Sequence, residues 1–283
     1  MTTSPRWFPP SSASVDSHWN AATLVWANGF PLLHRLRRGE GLLLAVNLSL
    51  AIVREPDPRR ILAQALVSTA VLALLYFLND VHDCHGDRND PGKDRAFVGF
   101  CIAHRALLFR ALALEKAAVL ILAFVLLGPE SASATAALFA ANLAYSFAIK
   151  RMAVLDVPFV ALWGALYALV PGVDVPLGWI ALVGVMTAVC HVFQITRDRE
   201  VDLSNRVRTS AGVFRWLPEV ELALLCAAMG LLLYHLVGPL IAASAGAPLL
   251  LRRSVRSNTL AWLLSKGYFG AIWIVALSRL HAY

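Results

Sequence analysis

The sequence predicts an all-α fold, a polytopic membrane bundle of about nine transmembrane helices, and three observations carry that expectation. The chain is 58% apolar and 15% charged, with a mean hydropathy of +0.64; a soluble domain is nearer half apolar and a quarter charged. Its apolar residues fall in successive membrane-length runs, punctuated by Gly-Pro pairs and short basic loops. Its Lys and Arg residues crowd onto one side of the implied membrane. A net charge of +7 would also suit a nucleic-acid binder. Here the basic residues form no stripe, so they read as topology signals and no nucleic-acid partner is expected. Cys84, Cys101, Cys190 and Cys226 are scattered and imply no disulfide framework.

Residues 1–19, rich in Ser, Pro and Thr, lack the apolar core of a signal peptide and are expected to form a flexible tail. Residues 20–283 then make a single helical domain. Residues 20–38, with Trp26, His34, Arg35, Arg37 and Arg38, read as an interfacial amphipathic segment. The first span, Gly41 to Val53, is short. Asn47 in its middle must face the bundle interior, either for an interhelical hydrogen bond or for a substrate. After the turn Arg54 to Pro58, the second span begins near Arg60 and runs into a polar stretch ending at Asp87. The loop Arg88 to Gly99 follows. Further spans cover Ile102 to Leu127, Ser133 to Ile149, Val154 to Val170 and Pro176 to Ile195. After the charged loop Thr196 to Trp216, the seventh covers Pro218 to Val237. Gly238-Pro239 separates it from an eighth that ends at Arg252-Arg253, and the ninth covers Thr259 to Leu280. On this count most Lys and Arg residues share one side; only Arg54, Arg59, Arg60 and Arg279 fall opposite. The positive-inside rule makes the richer side cytoplasmic.

Two acidic helix ends lie on that side. Asp80, Asp83 and Asp87 are spaced i, i+3, i+7 after the uncharged run Ile61 to Phe77, so they share a helix face that Asn79 borders. Gln194, Asp198 and Asp202 are spaced i, i+4, i+8 and close the run Ile180 to Phe193. Acids on one stripe repel one another unless a cation lies among them. Hard oxygen ligands of this kind suit Mg²⁺. Facing each other, the two clusters would hold two or more Mg²⁺ ions and a diphosphate.

These residues resemble a known family. Asn79-Asp80-x-x-Asp83-x-x-x-Asp87 is similar to the first signature of the UbiA superfamily of intramembrane prenyltransferases, and Asp198-x-x-x-Asp202 followed by Arg208-Thr209 is similar to the second. Tyr145-Ser146-x-x-x-Lys150, with Leu155-Asp156-Val157 beyond it, resembles an element found between them. The resemblance covers roughly residues 35–280. It implies helices around a central cavity and Mg²⁺-dependent transfer of a prenyl group from an isoprenoid diphosphate to an acceptor, commonly aromatic. Asp80, Asp83, Asp87, Asp198 and Asp202 would hold the metal, with Asn79 completing its ligands. Lys150, Arg208 and Lys93 or Arg95 would contact the diphosphate, and Tyr145 and Ser146 would lie near the allylic carbon or the diphosphate. The isoprenoid tail would leave between helices into membrane lipid.

There are departures. Arg95 is followed by Ala96 where the family often has proline. The run Asp87-Arg88-x-x-Pro91-x-Lys93 resembles the branch that transfers phosphoribose to a polyprenyl phosphate, but His85 stands where that branch often has an acid. The pair Asp198 and Asp202 favours an allylic diphosphate donor over that chemistry. An intramembrane terpene cyclase would ionise the same donor without an acceptor. A transporter would be expected to show inverted repeats and interrupted helices in both halves.

His82, Cys84 and His85 do not make a zinc site, because only the two histidines share a face. They are expected to line the site or meet headgroups, and one could act as a base. Asp156, just inside the fifth span, is expected either to pair with an arginine or to hold the acceptor. Trp163, Tyr167 and Trp179 read as cavity wall or interfacial belt.

Overall fold

A computed structural model describes residues 29–36, 41–88, 90, 93–205 and 207–280. The tail expected at residues 1–19, and the stretch 20–28 with Arg37 and Arg38, lie outside the described residues. Among those residues all regular structure is helical: α1 (Leu42–Arg54), α2 (Pro58–Asp87), α3 (Arg95–Leu127), α4 (Pro129–Phe147), α5 (Asp156–Leu169), α6 (Leu177–Ser204), α7 (Leu217–Leu236), α8 (Ala247–Ser254) and α9 (Asn258–Leu280), with short helical turns between some of them. Residues 29–36 are also helical.

The helix starts are written locally. Asp57 caps α2 by accepting from the Arg59 amide, and Pro58 follows at a position that needs no N–H. Asp94 caps α3 through the Ala96 and Phe97 amides. Gly128, at φ +96°, takes the left-handed turn that ends α3, and Pro129 opens α4. Inside α3, His104 departs from helical geometry (φ −113°, ψ 16°) and kinks the helix near the expected headgroup boundary.

Among the described residues, five segments are long and apolar enough to cross a membrane: Pro58–Asp87, Pro129–Arg151, Leu177–Ser204, Leu217–Leu236 and Asn258–Leu280. The other expected spans are of a different kind. Leu42–Arg54 and Asp156–Leu169 are apolar but short. Helix α3 carries Arg105, Arg110, Glu115 and Lys116. The stretch after Gly238 is broken into Pro239–Ala242, a 3₁₀ turn Ala243–Gly246, and α8. Pro248, which cannot donate, sits at the start of α8 and interrupts the ladder there. Large apolar side chains such as Leu62, Leu114, Ile121, Phe124 and Ile274 are exposed along the helices. A continuous apolar exterior of this kind suits hydrocarbon and not water.

Successive helices pack side by side, and α9 closes back onto α1 and α6. Polar bonds tie the bundle where no water competes. Trp273 Nε1 donates to Ser49 Oγ (2.8 Å) across α9 and α1. Asn47 Nδ2 donates to the Tyr167 carbonyl (2.8 Å), and Tyr167 Oη to the Ser68 carbonyl (3.0 Å). Of the two readings of Asn47, this placement supports the interhelical bond.

Helices α5 and α6 pack closely, and two glycines permit it. A Cβ at Gly164 would stand 2.4 Å from Thr187 Oγ1, and one at Gly184 2.6 Å from the Ala161 carbonyl oxygen. The second obstacle is backbone and cannot turn aside. Gly184→Ala should therefore push α6 off α5 and cost about 1–3 kcal/mol, as overpacking does. A lowered melting temperature in detergent checks this; wild-type stability would mean that the helices part without cost.

Candidate active site

The acidic end of α2 is built into a set of ion pairs. Asp80 Oδ1 accepts from Arg35 Nη2 at 2.9 Å and lies 3.3 Å from Lys93 Nζ. Lys93 also reaches Asp87 Oδ2 at 2.9 Å. Burial alone would lower the Lys93 ammonium, but the Asp80 and Asp87 carboxylates outweigh it and hold its pKa above the ordinary value. Asp83 Oδ2 accepts from Lys150 Nζ at 2.5 Å, and its Oδ1 lies 3.0 Å from His82 Nδ1. The cations come from three parts of the chain outside α2: Arg35 from the 29–36 segment, Lys93, shared by Asp80 and Asp87, from the α2–α3 loop, and Lys150 from the turn after α4.

The two acids of α6 are held in different ways. Asp198 makes a two-pronged pair with its neighbour Arg197 (2.6 and 2.7 Å). Asp202 Oδ2 accepts from Thr209 Oγ1 at 3.3 Å. Thr209 also accepts from the Gly212 amide, capping the turn Ser210–Val213. That turn is anchored from below. Asp156, fully buried, accepts from the Ser210 amide (3.0 Å) and from its hydroxyl (2.5 Å). Ser210 Oγ also accepts from the Val154 amide (3.0 Å) and contacts Glu221 Oε1 at 2.8 Å. A hydroxyl has one proton to give, so with Asp156 supplied, Glu221 must bring its own to that contact. Val154 holds φ +79°, a strained value for a β-branched residue, inside this network. Asp156 therefore pairs with a serine and not an arginine, and it lies outside the cavity lining. Its place is to hold the loop that carries Thr209.

All five aspartates line one cavity of about 1090 Å³. Lys93, Lys150, Asn79, Gln194 and Tyr145 line it as well, and so do residues that spacing alone did not single out: Arg35, Arg105, Arg151, Arg197 and Trp262. A second pocket of about 170 Å³ shares Arg35, Asn79, Tyr145, Gln194 and Trp262 with the first. Its other walls include Leu43, Trp163, His191, Lys266 and Phe269. Tyr145 stacks on Phe159 (ring centroids 6.3 Å apart), and its hydroxyl lies 3.4 Å from His191 Nε2. Trp262 carries cations on its ring, with Arg197 Cζ 3.8 Å and Lys266 Nζ 3.2 Å from the centroid. A polar chamber thus adjoins a smaller, aromatic-walled pocket across shared walls.

Other sequence-predicted residues fall elsewhere. Arg95 and Arg208 are exposed, and neither lines the cavity. Ser146 is buried behind the wall and donates to Asn79 Oδ1 at 2.6 Å. His82 and His85 both line the chamber, His85 from an exposed position.

Among the described residues, no three His, Cys, Asp or Glu side chains converge closely enough to hold one metal ion. Asp80, Asp83, Asp87 and Asp198 face lysines or arginines instead. The donor set nevertheless fits a hard cation: carboxylate oxygens from two helix ends, in a chamber whose lysines can exchange acid partners for phosphate oxygens.

The sequence matches no protein-family model and no curated protein. Among solved structures it resembles a UbiA homolog from Archaeoglobus fulgidus. The form bound to DMAPP and Mg²⁺ aligns at a TM-score of 0.64 and 16% identity, over 91% of this chain and 97% of the other. The form bound to GPP and Mg²⁺ aligns at 0.62 and 15%, with the same coverage. The form bound to Cd²⁺ aligns at 0.62 and 16%, over 89% and 99%. The chain therefore has the UbiA-type helical fold along nearly its full length.

Placement separates two kinds of cation near the motifs. Lys93→Ala and Lys150→Ala should each weaken Mg²⁺-dependent binding of inorganic pyrophosphate about tenfold or more, the loss expected for a charge-assisted bond. Arg95→Ala and Arg208→Ala should leave it within about twofold, as for exposed charges. Calorimetry on the four variants checks this, and a large loss at Arg208 would place that side chain in the site.

Proposed function

We propose that this protein is an intramembrane prenyltransferase. It transfers a prenyl group from an isoprenoid diphosphate to an aromatic acceptor, in a Mg²⁺-dependent reaction on the cytoplasmic side of the membrane. One observation carries the reading: acids from two helix ends far apart in sequence line a single chamber with several lysines and arginines, and an aromatic pocket adjoins that chamber. The likeness to a UbiA homolog that binds DMAPP or GPP with Mg²⁺ supports it.

Asp80, Asp83 and Asp87 from α2 and Asp198 and Asp202 from α6 would hold two or more Mg²⁺ ions. When bound, the metal neutralises charge on the diphosphate and makes it a better leaving group. The reaction breaks the allylic C–O bond, and the electron pair leaves with the diphosphate. Lys93 and Lys150 turn from their aspartates to the phosphate oxygens as that charge develops. The carbon left behind is a delocalised cation. The faces of Tyr145, Trp163 and Trp262 stabilise it and keep water away. The acceptor enters the inner pocket, its ring carbon forms the new bond, and aromaticity returns when a proton leaves. His191, beside Tyr145 in that pocket, is placed to take it. The isoprenoid tail leaves between helices into lipid, which is why such a site belongs inside a membrane. The excess of Lys and Arg on the chamber side supports the cytoplasmic orientation.

Purified protein with Mg²⁺ and labelled isoprenoid diphosphates, with and without aromatic acceptors, tests the reading. A conjugate is the expected product. A hydrocarbon would mark a cyclase, and no consumption of donor would overturn the assignment. Asp83→Asn and Asp202→Asn should lower turnover by about a hundredfold or more while the protein stays folded, the scale seen when transition-state charge stabilisation is lost. EDTA should abolish turnover; undiminished rates in chelator would remove the metal from the reaction.

A further inference from the structure

Helix α3 carries a lysine into the bundle that the prenyl-transfer mechanism does not use. Lys116 is 8% exposed. Its Nζ lies 3.4 Å from Asn142 Oδ1 and 4.9 Å from the centre of the Phe139 ring. A buried cation at this depth is costly and calls for a reason. Its partner supplies one. Asn142 Nδ2 donates to Asn79 Oδ1 at 3.3 Å, and the Ser146 hydroxyl donates to the same oxygen at 2.6 Å. Asn79 lines both the chamber and the inner pocket.

The direction of this chain follows from donor and acceptor counting. An ammonium has three donors and no acceptor, so the face of Asn142 turned to Lys116 must be its carbonyl oxygen. The other face, the NH₂, must then point at Asn79 and meet an oxygen there. Ser146 adds a second donor to that oxygen. With both lone pairs of Asn79 Oδ1 engaged, what Asn79 has left for a ligand is N–H.

We propose that Lys116 is a positioning residue: it orients the amides of Asn142 and Asn79 so that Asn79 meets the ligand as a hydrogen-bond donor to a phosphate oxygen, not as an oxygen ligand to the metal. This rests on the reading of the chamber as a diphosphate site. It changes the role that the motif alone assigns to Asn79. It also accounts for a buried lysine whose hydrogen bond and ring contact involve neither acid cluster.

The discriminating variant is Asn79→Asp. A carboxylate at 79 still accepts from Asn142 and Ser146, so the network survives. It is a better cation ligand than an amide, but it has no hydrogen to give a phosphate. Inorganic pyrophosphate is the probe, titrated into full-length protein in detergent with Mg²⁺; Mn²⁺ binding without pyrophosphate is followed separately by electron paramagnetic resonance. Asn79→Asp should weaken pyrophosphate about tenfold or more, as loss of a hydrogen bond to a charged group does, and leave Mn²⁺ binding as tight as wild type or tighter. Lys116→Met should weaken pyrophosphate severalfold with Mn²⁺ binding unchanged, and Lys116→Arg, which also only donates, should restore it. Pyrophosphate binding kept or tightened by Asn79→Asp would make Asn79 a metal ligand and overturn the proposal. Wild-type affinity in Lys116→Met would reduce the lysine to a packing role. Should Lys116→Met not fold, Lys116→Gln, which can accept as well as donate and so no longer fixes the Asn142 amide, takes its place with the same expected and overturning results. A wild-type protein that binds no pyrophosphate would overturn the diphosphate site itself, a different failure from either of these.

Discussion

Carboxylates at the edge of a membrane interior must be matched by positive charge, and the site is arranged around meeting that need. Asp80, Asp83 and Asp87 project from one face of one helix, where their mutual repulsion would be strong at low dielectric. Arg35, Lys93 and Lys150 answer them from three separate parts of the chain. The pairing holds the fold together, since removing one partner would strand a buried charge. It also leaves the lysines beside the position where a diphosphate would gather negative charge. The same charges that close the fold around α2 are the ones the proposed chemistry would use.

The second acid cluster is positioned by packing and by a buried polar anchor. Gly164 and Gly184 let α5 and α6 approach until Cβ atoms would no longer fit. Asp156, at the head of α5, fixes Ser210, and Ser210 fixes the turn whose Thr209 reaches Asp202. A shift of α5 would thus be felt at Asp202 through two contacts, one apolar and one polar. Catalytic geometry tolerates little looseness, and such supporting contacts are where it is set. The inner network from Lys116 ends at Asn79, which borders the first cluster.

Much of this was legible in the sequence, for physical reasons. Apolar runs such as Ile61 to Phe77 and Ile180 to Phe193 have few ways to be buried except as long helices in lipid, and both lie inside observed helices. The acids were legible because helical spacing puts them on one face before any tertiary contact is known. Resemblance to the UbiA superfamily anticipated the fold that the A. fulgidus structures share. The partners were not legible. Arg35 meets Asp80 across 45 residues, and Asn142 meets Asn79 across 63; no local pattern encodes such pairs. Asn47 and Asp156 were noticed because polar groups at membrane depth need partners, but polarity alone could not name Tyr167 or Ser210. Arg95 and Arg208 sit beside motif residues in the chain yet are exposed, because adjacency in sequence says nothing about which way a side chain points. The eighth span, expected as one helix, is broken where Gly246 and Pro248 interrupt it.

The ends of α2 and α6 are read as a single site, and a double-mutant cycle on Asp83 and Asp202 measures that directly. Mg²⁺-dependent pyrophosphate affinity would be determined for the wild type, Asp83→Asn, Asp202→Asn and the double variant. Residues that share a ligand couple, so the double variant should bind little worse than the weaker single variant. Losses that simply multiply would mean that the two acids serve separate sites, and a diphosphate pocket shared between the two helix ends would be contradicted.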